Sequence, residues 1–130
     1  MSANNYVFQH GQLKAPLNPN DFDVADKFDI AFETMRAEFK AAEAEPRIGA
    51  RFRLQDQAIR KVFDTIFGDG AAVKALGEQS KSLEDSGMAL NALVKYQQEC
   101  DKALGIRMRE GVELPAPPNR AARRAAAKGK

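Results

Sequence analysis

The stretch DFDVADKFDIAFETMRAEFKAAEAEP, Asp21 to Pro46, decides the fold. Val24, Phe28, Ala31, Phe32, Met35, Phe39 and Ala42 recur at intervals of three and four, which lays them along one stripe of an α-helix. Asn20, Asp21 or Asp23 can cap its start, and Asp21, Asp23, Asp26 and Asp29 suit the positive end of the helix dipole. Pro46 ends it.

Working outward, a second helix carries Phe52, Ile59, Val62, Phe63, Ile66 and Phe67 on its apolar face, with Arg47, Arg51, Arg53, Arg60 and Lys61 among them. Its stripe broadens toward the C-terminal end, more than a three-helix core needs. Gly68-Asp69-Gly70 stops it, because glycine takes the left-handed conformation common at helix ends. Ala71 to Leu76 is long enough for a short helix closed by Gly77. Ser82-Leu83-Glu84-Asp85 resembles a capping box, after which Leu90, Leu93, Gln97, Cys100 and Leu104 continue an inward stripe to Gly105, the expected terminator. Gly87 costs this helix about 1 kcal/mol relative to alanine, so its first turn is expected to fray or the helix to begin there.

Short connections and one apolar face per helix predict an all-α fold, a small antiparallel bundle of three main helices and one short one over residues 21–104. Residues 1–20, with Asn4, Asn5, Gly11, Pro16, Asn18 and Pro19, read as an irregular arm in which Tyr6, Phe8 and Leu13 either form a short strand or lie against the helices. Residues 105–130 read as a tail. Pro115, Pro117 and Pro118 break structure, and the basic end from Asn119 has no large apolar side chain to offset the entropy of ordering, so the tail is expected to be disordered.

At 130 residues and 44% hydrophobic the chain suits one domain with one core. Its net charge of +2 hides a strong sorting along the sequence. Residues 21–45 hold eight acids against three bases, residues 46–68 five bases against two acids, and residues 105–130 seven bases against two acids. The one cysteine makes no internal disulfide, which fits the cytoplasm. Neither a signal peptide nor a membrane span is apparent.

The single histidine, His10, rules out a Ser-His-Asp, Cys-His or multi-histidine metal arrangement within one chain. Cys100 falls on an inward stripe, where cysteine behaves as a small hydrophobe. The acids from Asp21 to Asp29 lack the loop spacing of a calcium hand, and Gly68-Asp69-Gly70 lacks the Gly-Lys-Ser/Thr of a phosphate loop. No catalytic, metal or cofactor site is expected, so the chain reads as non-enzymatic.

Two stretches carry a resemblance. Ile59-Arg-Lys-Val-Phe-Asp-Thr-Ile-Phe-Gly-Asp-Gly70, with the Asp21–Phe28 helix start before it, resembles small helical proteins of phage and prophage tail-gene clusters, where phenylalanine-aspartate, two residues and phenylalanine-glycine close a helix in this order. Asn119-Arg-Ala-Ala-Arg-Arg-Ala is similar to the basic ends of many phage tail-assembly proteins. The resemblance implies a tail-assembly chaperone that binds the helical tape-measure protein or the tail-tube protein in the host cytoplasm. Phe52, Val62, Phe63, Ile66 and Phe67 are the expected apolar contacts, shared between core and partner, and Arg120, Arg123 and Arg124 the expected basic ones. The alternative is a phage-encoded nucleic-acid-binding regulator or anti-defence protein, in which Arg47, Arg51, Arg53, Arg60 and Lys61 could contact phosphate and the tail adds Arg120, Arg123, Arg124, Lys128 and Lys130.

Overall fold

The computed structural model describes residues 6–110. The elements are β1 (Val7–His10), β2 (Leu13–Pro16), α1 (Phe22–Ala42), α2 (Ile48–Phe67), α3 (Ala71–Leu76) and α4 (Leu83–Glu110). This is the small helical bundle that the periodicity predicts, three long helices and a short one, with a two-stranded hairpin added at its start.

Local signals set the helix boundaries. The Asp21 side chain accepts the Asp23 N–H at 3.2 Å and caps α1. The helix ends at Ala42, before the expected proline, and the next three residues tighten to i−3 hydrogen bonds, because Pro46 disfavours helical backbone just ahead of it. At the end of α2, Gly68 turns to φ 106° with its N–H still bonded to the Asp64 carbonyl at 2.9 Å. The Asp64 carboxylate reaches forward to the Ala72 N–H at 2.9 Å, so one residue helps to close α2 and to cap α3. Ser82 caps α4 as expected, its Oγ accepting the Asp85 N–H at 3.4 Å. The helix therefore starts ahead of Gly87 and passes through it.

α2 lies at the centre, packed against α1, α3 and α4. Its Ala58, Ile59, Val62, Phe63 and Ile66 are buried, facing Phe28 and Ala31 of α1, Ala71, Ala72 and Ala75 of α3, and Ala89 and Leu93 of α4. Phe32, Met35 and Phe39 of α1 cover the edge of this core, half-buried.

Residues 1–20 are not simply an irregular arm. Val7, Phe8, Gln9 and His10 pair antiparallel with Pro16, Ala15, Lys14 and Leu13, and the ladder continues with the Leu17 N–H on the Tyr6 carbonyl at 2.8 Å. The two-residue loop places Gly11 at φ 59°, the sign that the first central position of a type II′ turn requires. Alternation then sends Phe8, Leu13 and Leu17 inward, and all three are buried. The Phe8 ring stands 5.5 Å from Phe67, 6.3 Å from Phe63 and edge-on to Tyr96 at 5.6 Å. At its tip the hairpin touches α3, where the Gln12 N–H bonds the Lys74 carbonyl at 2.8 Å. A Cβ on Gly11 would lie 2.5 Å from the Ala75 carbonyl oxygen.

The C-terminal boundary also differs. α4 does not stop at Gly105 but continues to Glu110. Gly68 and Gly77 end their helices by taking positive φ, whereas Gly105 does not, and a glycine with ordinary helical φ weakens a helix without terminating it. The rest of the expected disordered tail, residues 111–130, lies outside the described residues, and with it Arg120, Arg123 and Arg124.

Candidate partner-binding surface

Of the five apolar residues expected to meet a partner, three are core. Val62, Phe63 and Ile66 are closed off on all sides, with Phe63 at 0% exposure, and they have no surface to share. Phe67 is half-buried beneath Phe8. The width of the α2 stripe thus has an internal explanation: the hairpin packs on the face that a three-helix core would leave over. Phe52 remains, 43% exposed in the first half of α2, and Ile48 one turn earlier on the same face is 60% exposed. Sequence reasoning passed over Ile48, although its i, i+4 spacing from Phe52 was the signal for it.

Phe52 forms one side of a groove between α2 and the start of α4. The lining includes Gly49, Phe52, Arg53 and Asp56 from α2, and Lys81 and Leu83 from the opposite wall. Its volume of about 210 Å³ is below the roughly 300–1,000 Å³ of small-molecule pockets and suits a side chain or two. Arg60 ties the walls together: its Nε meets Asp56 Oδ2 at 3.2 Å, and its two terminal nitrogens donate to the Gly77 carbonyl and to Ser80 Oγ, each at 2.8 Å. This planar fork, with a 15% exposed side chain, fixes the α3–α4 connection against α2. Asp56 Oδ1 is buried without a protein partner, while its charge is balanced by Arg60.

The cations around the groove are differently placed. Arg47, Arg51, Arg53 and Lys81 form no ion pair among the described residues. No acidic side chain occupies the first turn of α2, and its N-cap residue Arg47 makes no side-chain cap. Glu45, just ahead of the helix, accepts the Arg47 N–H at 3.0 Å, so one acid stands beside these cations at the positive end of the α2 dipole.

Two further depressions have other characters. One, between α1 and α4, is lined by Phe28, Asp29, Phe32, Arg36, Val94 and Gln97. Another is polar and lies where Pro19 and Asn20 meet Gln97, Gln98 and Asp101. On α1, Phe22 is 87% exposed and Ile30 is exposed as well.

The residues weighed for chemistry are dispersed. His10 lies in β1, paired across the hairpin with Leu13. Cys100 is fully buried beside Tyr96. Burial pushes the Cys100 thiol above its ordinary value, the opposite of what a reactive thiolate needs. Burial likewise raises the Tyr96 phenol, with the neighbouring Cys100 adding to the shift, and the Tyr96 hydroxyl donates to the Leu17 carbonyl at 2.7 Å. Among the described residues no three His, Cys, Asp or Glu side chains group as metal ligands. No described helix is long and apolar enough to cross a membrane.

No curated protein and no solved structure matches the chain. A family model does, over residues 11–127, taking in β2, all four helices and most of the basic C-terminal segment. The chain belongs to that family, a family of unknown function (DUF6673).

Proposed function

We propose that this protein is a non-enzymatic binding protein of phage tail assembly, a cytoplasmic chaperone-like partner of the tape-measure protein and/or the tail-tube protein. The observation that carries the binding reading is the outward row of Ile48 and Phe52, beside unpaired arginines, on a body whose core is complete without them. Exposed apolar rows at i, i+4 spacing are how one helix presents itself to another. The assignment to tail assembly draws on the resemblance of Ile59–Gly70 and of the basic Asn119–Ala125 end to tail-cluster proteins. Co-expression with a fragment of a phage tape-measure protein tests the proposal: a stable complex is expected, and a folded chain that leaves the fragment insoluble and unbound counts against it.

The second reading, a nucleic-acid-binding regulator, draws on the same unpaired cations at the start of α2. Affinity for duplex DNA that falls steeply between low and physiological salt, with no affinity for tail proteins, would favour it.

A further inference from the structure

We propose that the groove between the first half of α2 and the α3–α4 connection receives an acidic amphipathic helix of a partner protein. Large apolar side chains of that helix would settle beside Phe52 and Leu83 while its carboxylates meet Arg53 and Lys81. The proposal deepens the reading above, and rests on it for the premise that the chain binds protein.

The groove begins with Gly49. Glycine is the weakest helix former after proline. Nothing in the fold demands it: its φ is not positive, and a Cβ there would come no closer than 3.4 Å, to a terminal nitrogen of Arg53. What the missing side chain does is leave space next to Phe52. Ile48, Gly49 and Phe52 thus form a continuous strip, apolar side chains flanking an open notch.

Charge selects the occupant. Arg53 lines the notch, Lys81 faces it from the other wall, and Arg47 and Arg51 flank the same end of α2, none in an ion pair among the described residues. The dipole of α2 adds to their field. A partner carrying carboxylates would relieve this local repulsion, whereas a basic partner would meet it. The groove's own acid, Asp56, is already balanced by Arg60.

A helix suits the shape better than phosphate does. Duplex DNA needs cations spread over a broad face, while here Arg53 and Lys81 border the side chains of Phe52 and Leu83 in a narrow groove. Because Arg60 holds both walls in place, little ordering is left for the moment of binding.

The test uses the full chain and two fluorescent synthetic peptides of about four helical turns. Both carry the same leucine and phenylalanine at i, i+4 spacing, with glutamate at the remaining positions in one and lysine in the other. Fluorescence anisotropy should show saturable binding of the acidic peptide, and binding of the basic one at least about tenfold weaker. Amide shifts in NMR spectra should centre on Gly49, Phe52, Lys81 and Leu83. Gly49→Leu fills the notch from a helical position and should melt no lower than the parent, yet weaken the acidic peptide by about tenfold or more. Arg53→Glu with Lys81→Glu should invert the preference between the peptides.

No binding of the acidic peptide, equal binding of the basic one, tighter binding of duplex DNA, or indifference to Gly49→Leu would each overturn the proposal. The two readings also separate. A tape-measure complex that survives Gly49→Leu removes the groove and keeps the assembly role; an acidic peptide held in the groove without any tape-measure complex does the reverse.

Discussion

Phe8→Ala is the sharpest test of the hairpin as part of the core. Phe8 is 3% exposed and touches the rings of Phe63, Phe67 and Tyr96, so truncation leaves a cavity with aromatic walls rather than a repacked surface. Buried Phe→Ala changes cost about 3–5 kcal/mol, the cavity term included. A domain of this size has about 5–15 kcal/mol of stability in all, so at least about a fifth of it is at stake. With a urea m-value of about 1–3 kcal/mol per molar, the midpoint should fall by at least about 1 M. The thermal midpoint should fall by at least about 12 °C, taking the lower figures of about 3 kcal/mol and about 4 °C per kcal/mol. Circular dichroism follows the helices, and the fluorescence of Tyr96, which lies edge-on to Phe8, follows the cluster. Val7→Ala is the internal control, since Val7 is on the outer face of the same strand and should change stability by no more than about 0.5 kcal/mol. Equal, small effects of the two substitutions would refute the placement of the hairpin. A large effect on the Tyr96 signal with unchanged helical melting would mean that the hairpin folds apart from the bundle.

Other expectations follow from single contacts. Tyr96→Phe removes the 2.7 Å bond to the Leu17 carbonyl and should cost about 1–3 kcal/mol near neutral pH, read by thermal melting. Tyr96 and Cys100 both have raised folded-state pKa values, so above their ordinary values of about 10 and 8.5 the unfolded chain loses protons that the folded one keeps. Stability should thus be level in neutral solution and decline as pH rises past about 8.5, and Tyr96→Phe should make that decline shallower. Gly87→Ala replaces a helical glycine of α4 whose Cβ would meet nothing within 4 Å, and should stabilise by roughly 0.5–1 kcal/mol, seen as a higher melting temperature. Arg60→Lys keeps the charge but loses the fork to Gly77 and Ser80, at a cost of about 1–2 kcal/mol and with faster amide exchange in residues 77–82.

The four helices were legible because each announces itself locally: the three-and-four spacing from Val24 to Ala42, the glycines after Phe67 and Leu76, and Ser82 ahead of Leu83. The hairpin was less so. Tyr6 and Phe8 alternate with Val7 and Gln9, but two short strands carry too few periods to outweigh the asparagines and prolines around them. What establishes the hairpin is its seat on Phe63, Phe67 and Tyr96, contacts between residues far apart in sequence. The same distance hides why the α2 stripe is wide, since part of that width packs against Phe8, far away in sequence. Gly105 shows a different limit, since a glycine code does not reveal whether φ will be positive. Phe52 was legible as part of the surface. The groove beside it was not, because Lys81 and Leu83 come to it from across the bundle.

The bond from Tyr96 to Leu17 spans 79 residues and has a consequence for the order of events on the ribosome. α1 and α2 are consecutive and can zip together as soon as both have emerged. Phe8 can then find Phe63 and Phe67, but its third aromatic neighbour is still unmade. At a synthesis rate of about 5–20 residues per second, the interval between Phe67 and Tyr96 is roughly 1.5–6 s. During that time the nascent chain shows an open aromatic face, which is when a chaperone of the cell, or a second nascent copy, would have access to it.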